Sequence, residues 1–126
     1  MKKILLALLL SFGLIACGNK PLPPPPPQGG YFLGNVTANQ AENLLFNGIS
    51  RSQWTVVGKQ PNVLRLNLQY RGYDFNADIQ YTNRNYSILF VSVNDDNGNL
   101  KKAHEVYKKY IVKLNKIIQK TIAENN

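Results

Sequence analysis

Alternation of apolar and polar residues between Leu64 and Tyr81 restricts this chain to folds that contain an antiparallel sheet. Every second residue from Leu64 to Tyr70 is apolar, and every second residue from Tyr73 to Tyr81 follows the same rule. Because successive side chains of a strand point to opposite faces, each run predicts a strand with one buried face. Arg71 and Gly72 form a two-residue connection, which is typical of a β-hairpin. The polar residues are therefore expected on an open face of the sheet.

The flanking segments predict the remaining elements of an α+β fold. Thr37 to Gln40 has the form of a capping box, and the apolar residues from Ala41 to Ile49 follow with helical spacing. Trp54 to Val57 and Tyr86 to Val93 are apolar runs of strand length. Leu100 to Ala123 is apolar on one side at a helical period. We expect a helix, a four-stranded antiparallel meander and a long C-terminal helix packed on one sheet face.

The N-terminus has the features of a secretory signal. Lys2 and Lys3 precede an apolar run from Ile4 to Ala16, which is too short to cross a hydrocarbon core of about 30 Å. The residues Leu14-Ile15-Ala16-Cys17 resemble the lipobox of bacterial lipoprotein precursors. That resemblance implies removal of residues 1–16 and attachment of diacylglycerol and a fatty acid such as palmitate to Cys17. Several acyl chains on one residue make a stable membrane anchor.

A proline-rich segment separates Cys17 from the rest of the chain. Six of the seven prolines lie between Pro21 and Pro27, and consecutive prolines favour a polyproline II rod rising about 3.1 Å per residue. We interpret residues 17–30 as the lipidated cysteine and a linker, with Gly29 and Gly30 as a flexible joint. A ligand for a proline-binding groove is the alternative. Residues 31–126 then form one small α+β domain.

The predicted C-terminal helix carries a basic side opposite its apolar side. The chain has 15 Lys and Arg against 7 Asp and Glu. Seven lysines define what we call the lysine face: Lys101, Lys102, Lys108, Lys109, Lys113, Lys116 and Lys120. These residues suit contact with anionic lipid headgroups, lipopolysaccharide phosphates or an acidic protein. The alternative is an ordinary solvated face. Nucleic acid is not an expected partner of an exported, lipid-anchored protein.

The sequence offers no constellation of catalytic or metal-binding residues. His104 is the one histidine, and no nucleophile motif accompanies it. Asp74 and Asp78 lie four residues apart on one strand face, about 13 Å, which exceeds the spacing of glycosidase carboxylates. The loop from Asp95 to Asn99 does not place acids at the positions a calcium loop requires. We therefore expect neither an enzyme nor a protein with a cofactor or bound metal.

Tyrosines are the remaining candidates for a binding surface. The chain contains seven tyrosines. Tyr70, Tyr73, Tyr81 and Tyr86 are candidates for a groove that binds sugar or peptide, since tyrosine combines an apolar ring with a polar hydroxyl. Packing in the core and at its rim is the alternative interpretation.

The segment from Ala103 to Leu114 is similar to the pattern I-H-x-x-Y-N-x-W-I-x-x-L of small, largely uncharacterised bacterial envelope lipoproteins. Upstream, Arg71 and the alternating run from Tyr73 to Tyr81 are similar to the central strand of that family. Tyr86-Ser87-Ile88, followed by Phe90, is similar to its next strand. The resemblance extends from about Trp54 to Ile118.

This chain departs from that family at several positions. Ala103 stands for isoleucine, Lys108 for asparagine and Tyr110 for tryptophan, and Val93-Asn94-Asp95 replaces a serine-asparagine-leucine turn. The resemblance implies a signal peptide, a lipid anchor and a compact α+β domain, and it implies no reaction.

Together these features predict a lipid-anchored lipoprotein of the cell envelope with a non-enzymatic binding or scaffolding domain. Gly18 directly after Cys17 resembles the sorting signal of outer-membrane lipoproteins in bacteria with two membranes, so we expect an outer-membrane protein facing the periplasm. The expected partners are the membrane, through Cys17, and an envelope protein or an anionic lipid or glycan surface. The alternatives are a subunit of an outer-membrane assembly or secretion machine, and a periplasmic inhibitor or immunity protein against a lytic enzyme.

Overall fold

The computed structural model describes residues 22–125, which form a five-stranded antiparallel sheet and two helices. The elements are β1 (Gln28–Tyr31), α1 (Ala38–Ser50), β2 (Thr55–Gln60), β3 (Val63–Tyr70), β4 (Tyr73–Tyr81), β5 (Asn85–Asp95) and α2 (Leu100–Glu124). The strand order is β1-β5-β4-β3-β2. The predicted signal peptide, residues 1–16, and the predicted lipidation site Cys17 lie outside the described residues.

The alternating run forms the predicted hairpin. Leu66 pairs with Ala77 and Leu68 with Phe75 across β3 and β4, and all four side chains are buried. Arg71 and Gly72 have φ of 48° and 84°, the left-handed values that a two-residue type I′ turn requires. The polar residues of both strands consequently lie on the sheet face away from the helices.

The helix α1 begins directly after its predicted capping box, and α2 begins at Leu100, where its apolar periodicity begins. The Thr37 hydroxyl accepts a 3.1 Å hydrogen bond from the Gln40 amide, and Gln40 Oε1 accepts one of 2.9 Å from the Thr37 amide. At the start of α2, Asn99 Oδ1 accepts a 3.0 Å bond from the Lys102 amide. These caps satisfy amides that lack intrahelical partners.

The α+β class and the packing of the long C-terminal helix on the sheet are confirmed. An aromatic cluster holds α2 in place. The Tyr107 ring packs edge-to-face against Trp54, Phe75 and Phe90, with centroids 6.2, 5.8 and 5.1 Å apart. Edge-to-face pairs of this kind stabilise by about 0.5–1.5 kcal/mol beyond their buried area.

The four-strand prediction is wrong, because β1 adds a fifth strand to the edge of β5. Gly29 pairs with Ser87 and Gly30 with Tyr86, so the two glycines are a strand and not the flexible joint that was predicted. The sheet therefore begins inside the segment assigned to the linker. Pro25 is also buried, although the prolines on either side of it are exposed.

The glycines of β1 are required by its close approach to Tyr86 of β5. A Cβ on Gly29 would lie 2.5 Å from the Tyr86 carbonyl oxygen, and a Cβ on Gly30 would lie 2.9 Å from the Tyr86 hydroxyl. The Gly29 carbonyl accepts bonds of 3.2 Å from Asn115 Nδ2 and 3.3 Å from Gln119 Nε2. β1 is thus bound to β5 by its backbone and to α2 by two side-chain amides.

Candidate functional site

The lysine face is fully exposed along α2. All seven of its lysines are exposed, while Ala103, Tyr107, Ile111 and Leu114 on the opposite side are buried. The sequence prediction of a basic, solvent-facing side of this helix is confirmed.

Carboxylates elsewhere in the domain neutralise other basic residues and leave the lysine face alone. Between residues 22 and 125 there are three ion pairs, Arg51–Glu124, Lys59–Glu42 and Arg65–Asp78. None includes a lysine of α2. The lysine face therefore carries positive charge that no ion pair neutralises within residues 22–125, and it attracts anions over about one Debye length, roughly 8 Å in physiological salt.

A cleft opens where the β3–β4 turn meets the first turns of α2. We call it the tyrosine cleft and define it by six lining residues: Tyr70, Arg71, Tyr73, Lys102, Lys109 and Tyr110. Glu105 and Val106 complete its lining, and its volume is about 540 Å³. That volume lies in the range of small-molecule sites, about 300–1,000 Å³. The cleft joins two members of the lysine face to a cluster of aromatic rings.

Two aromatic rings of the cleft pack against each other, and the Arg71 side chain packs on one of them. The Tyr70 and Tyr110 centroids are 5.2 Å apart, and the Arg71 guanidinium lies over the Tyr70 ring at 5.3 Å. On the other side of the cleft Tyr73 stacks on Phe75 at 5.5 Å. Hydrogen bonding with Tyr70 raises the pKa of the Tyr110 hydroxyl, so the Tyr110 phenol is a neutral donor and acceptor at neutral pH.

The four tyrosines proposed for a groove separate into two pairs. Tyr70 and Tyr73 meet in the cleft, but Tyr81 and Tyr86 are buried in the core. The Tyr86 hydroxyl donates a 2.6 Å bond to Asn115 Oδ1, and burial raises its pKa to about 12. A groove lined by all four residues is therefore wrong. Sequence periodicity assigned them to one face without showing which end of the strands remains open.

The other candidates have structural partners. The His104 ring packs at 5.3 Å from Phe90. Asp74 accepts a 2.7 Å bond from Asn67, and Asp78 pairs with Arg65, both on the sheet face away from the helices. Within residues 22–125, no group of three or more His, Cys, Asp or Glu side chains is placed to hold a metal ion.

The sequence patterns do not indicate a binding role for Arg71 or for Tyr110. The left-handed backbone at Arg71 places its side chain beside α2, 39 residues further along the chain at Tyr110. A basic residue in the first position of a two-residue turn, where asparagine or glycine is usual, was the available signal.

Comparison of this chain with protein-family models, with curated proteins and with solved structures finds no match. In the part of the chain that the structure describes, neither helix combines the length and the hydropathy needed to cross a bilayer.

Proposed function

We propose that this protein is a lipid-anchored lipoprotein of the cell envelope whose domain is a non-enzymatic binding or scaffolding module. The anchor is Cys17, and the proposed location is the periplasmic side of the outer membrane. The observation that carries the binding role is the lysine face, with seven exposed lysines and no ion pair to any of them among residues 22–125. Its partner is an anionic surface of the envelope, either lipid or glycan.

The arrangement of charge supports this proposal beyond the number of lysines. The acids at Glu42, Asp78 and Glu124 each pair with a basic residue outside the lysine face. Val112, which lies among the lysines, is 38% exposed. An apolar residue surrounded by cations suits a surface that offers both negative charge and apolar material.

The anchor is tested by Cys17→Ser. This change should yield unprocessed precursor without acyl groups, because the sulfur that carries the diacylglycerol is lost. Mass spectrometry of the membrane fraction measures both effects. Normal maturation of the variant would overturn the proposed anchor and location.

The lysine face is tested with the full-length protein reconstituted into vesicles of neutral lipid and of anionic phospholipid. Amine-reactive labelling of Lys101 and Lys120 should be slower on anionic vesicles, and added salt should restore it. Replacing Lys108, Lys113 and Lys116 with glutamine should remove the difference. The matched control replaces Lys59, Arg65 and Arg84 with glutamine. It changes the net charge by the same amount and should preserve the difference in labelling between the two vesicle types. Equal labelling on both vesicle types would remove the anionic surface from the proposal.

One observation favours a second candidate, a subunit of an envelope assembly machine. β2 lies at the end of the sheet, and its Val57 is 58% exposed. An edge strand can add a strand from another chain. Crosslinking from Val57 in cells should then capture a defined protein, while crosslinking from Val91, on β5, should not.

A further inference from the structure

At one end of the lysine face, the tyrosine cleft combines a concave shape, aromatic walls and a guanidinium that packs on a tyrosine ring. A backbone hydrogen bond connects the two segments that form its walls. The Asp96 amide donates a 3.0 Å bond to the Gly72 carbonyl, which ties the β3–β4 turn to the segment that precedes α2. The left-handed φ of Arg71 and Gly72 fixes the direction in which the turn leaves the sheet.

The residues that line the cleft carry a net positive charge. Arg71, Lys102 and Lys109 line it, against the one acid Glu105. None of the three cations forms an ion pair with a carboxylate within residues 22–125. The planar guanidinium of arginine matches the two oxygens of a phosphate or carboxylate, and an aromatic ring beneath it limits its motion without using its hydrogen-bond donors.

The aromatic rings of the cleft suit a ring-shaped polar ligand. Tyr70, Tyr73 and Tyr110 are each half-buried, so part of every ring faces the cleft. One face of Tyr73 is covered by Phe75, which holds the ring in position. An aromatic ring offers apolar area to the C–H groups of a sugar, and the tyrosine hydroxyl bonds to sugar hydroxyls. A fatty chain would leave these hydroxyls and the three cations unsatisfied.

We propose that the tyrosine cleft binds a saccharide that carries a phosphate or carboxylate group. Arg71 and Lys109 bind the anionic group, and Tyr70, Tyr73 and Tyr110 contact the sugar ring. The proposal rests on the binding function proposed above, and it narrows the ligand class at one end of the lysine face. It does not require the lysines of the later turns of α2.

Calorimetric titration of the full-length protein in detergent with four probes tests the proposal. Glucose 6-phosphate and glucuronic acid carry both recognised groups, while glucose and inorganic phosphate carry one each. The acidic sugars should bind roughly tenfold or more tightly than either partial probe, as expected when two sets of contacts act together. The two acidic sugars also separate phosphate from carboxylate as the preferred anion. Equal affinity for glucose 6-phosphate and inorganic phosphate would overturn the proposal.

Arg71→Asn tests the guanidinium without disturbing the turn, since asparagine adopts the left-handed backbone that this position needs. This variant should lose roughly tenfold in affinity for the acidic sugars and keep the thermal midpoint of the parent. Arg84→Asn is the matched control at a turn outside the cleft and should bind normally. Tyr110→Leu should weaken binding, and Tyr110→Phe, which keeps the ring, should weaken it less. Equal losses in Arg71→Asn and Arg84→Asn would show general charge attraction and overturn the assignment.

The vesicle assay tests the lysine face and the sugar titration tests the tyrosine cleft, so one proposal can be wrong while the other holds. Loss of vesicle contact in the variant at Lys108, Lys113 and Lys116, with sugar binding intact, supports the cleft as a separate site. Chemical-shift changes on adding glucose 6-phosphate should concentrate at the rings of Tyr70, Tyr73 and Tyr110. Changes spread evenly along α2 would contradict the proposed site.

Discussion

The Tyr86 hydroxyl and the Asn115 side chain meet inside the domain, with 2.6 Å between Tyr86 Oη and Asn115 Oδ1. Tyr86 lies on β5 and is 2% exposed, and Asn115 lies on α2 and is 7% exposed. The same Asn115 amide donates to the Gly29 carbonyl at 3.2 Å. One side chain therefore satisfies polar groups of β5 and β1 at the point where the helix crosses both strands.

Asn115→Leu should destabilise the domain by about 1–3 kcal/mol, because it leaves the buried Tyr86 hydroxyl without an acceptor. Combining it with Tyr86→Phe should recover part of this loss, since both unpaired polar groups are then removed. Urea unfolding of the parent, both single variants and the double variant measures the coupling. Simple additivity of the two losses would contradict a direct interaction.

Gly29→Ala should lower the free energy of unfolding by about 1–3 kcal/mol, the usual result of overpacking. Its Cβ would lie 2.5 Å from a backbone oxygen of β5, which cannot move without breaking the strand pairing. Gly58→Ala on β2 is the control, since its Cβ would lie 3.3 Å from the Arg65 Cβ and should be tolerated. If the two variants are equally stable, β1 does not pack as described.

Alkaline pH should unfold the domain through its buried tyrosines. Burial raises the pKa of Tyr86 from 10.0 to about 12, and burial also raises the pKa of Tyr107. Between pH 10 and 12 the unfolded chain releases the Tyr86 proton and the folded chain retains it, so the free energy of unfolding falls as pH rises. Below pH 10 Tyr86 keeps its proton in both states, so its contribution to the free energy of unfolding is fully present.

Tyr86→Phe should reduce the decrease in the free energy of unfolding between pH 10 and 12. Tyr31→Phe should leave that decrease unchanged, since Tyr31 is 76% exposed. Urea unfolding at a series of pH values measures both slopes. A parent protein whose stability is constant through this pH range would contradict the prediction.

A chain that begins at Tyr31, the domain boundary predicted from the sequence, should be less stable than one that begins at Leu22. Removing β1 exposes the backbone of β5 near Tyr86 and deprives Asn115 and Gln119 of their shared acceptor. Unpaired strand edges favour aggregation, so light scattering on heating should rise earlier. Equal melting temperatures for the two chains would show that β1 contributes nothing.

The spacing of apolar residues is sufficient to predict both helices and four of the strands, because in each of these elements the apolar side chains lie on the buried face. β1 has two glycines among its four residues, so it carries no alternation to detect. Its pairing with β5 also joins residues more than fifty positions apart, and local sequence does not encode such a contact. The prolines before it favour a linker, and a run of prolines gives no sign that Pro25 is buried.

The candidate site was predicted in part for a similar reason. Exposure of the lysine face follows from the helical period, and the structure confirms it. The tyrosine cleft depends on a turn at Arg71 meeting a helix at Tyr110, so no single segment contains it. The binding roles of both surfaces stay predictions until they are measured.

The position of β1 determines how a pulling force would enter this domain. Any tension on the chain ahead of Gln28 reaches the sheet at one end of β1. Pulled along its own axis, the strand loads its four residue pairs with β5 at the same time, and the amides of Asn115 and Gln119 on Gly29 share the load with α2. Pulled sideways, the same pairs would break one after another. The direction of the chain where it leaves the domain therefore decides whether the sheet resists a given force or opens under it.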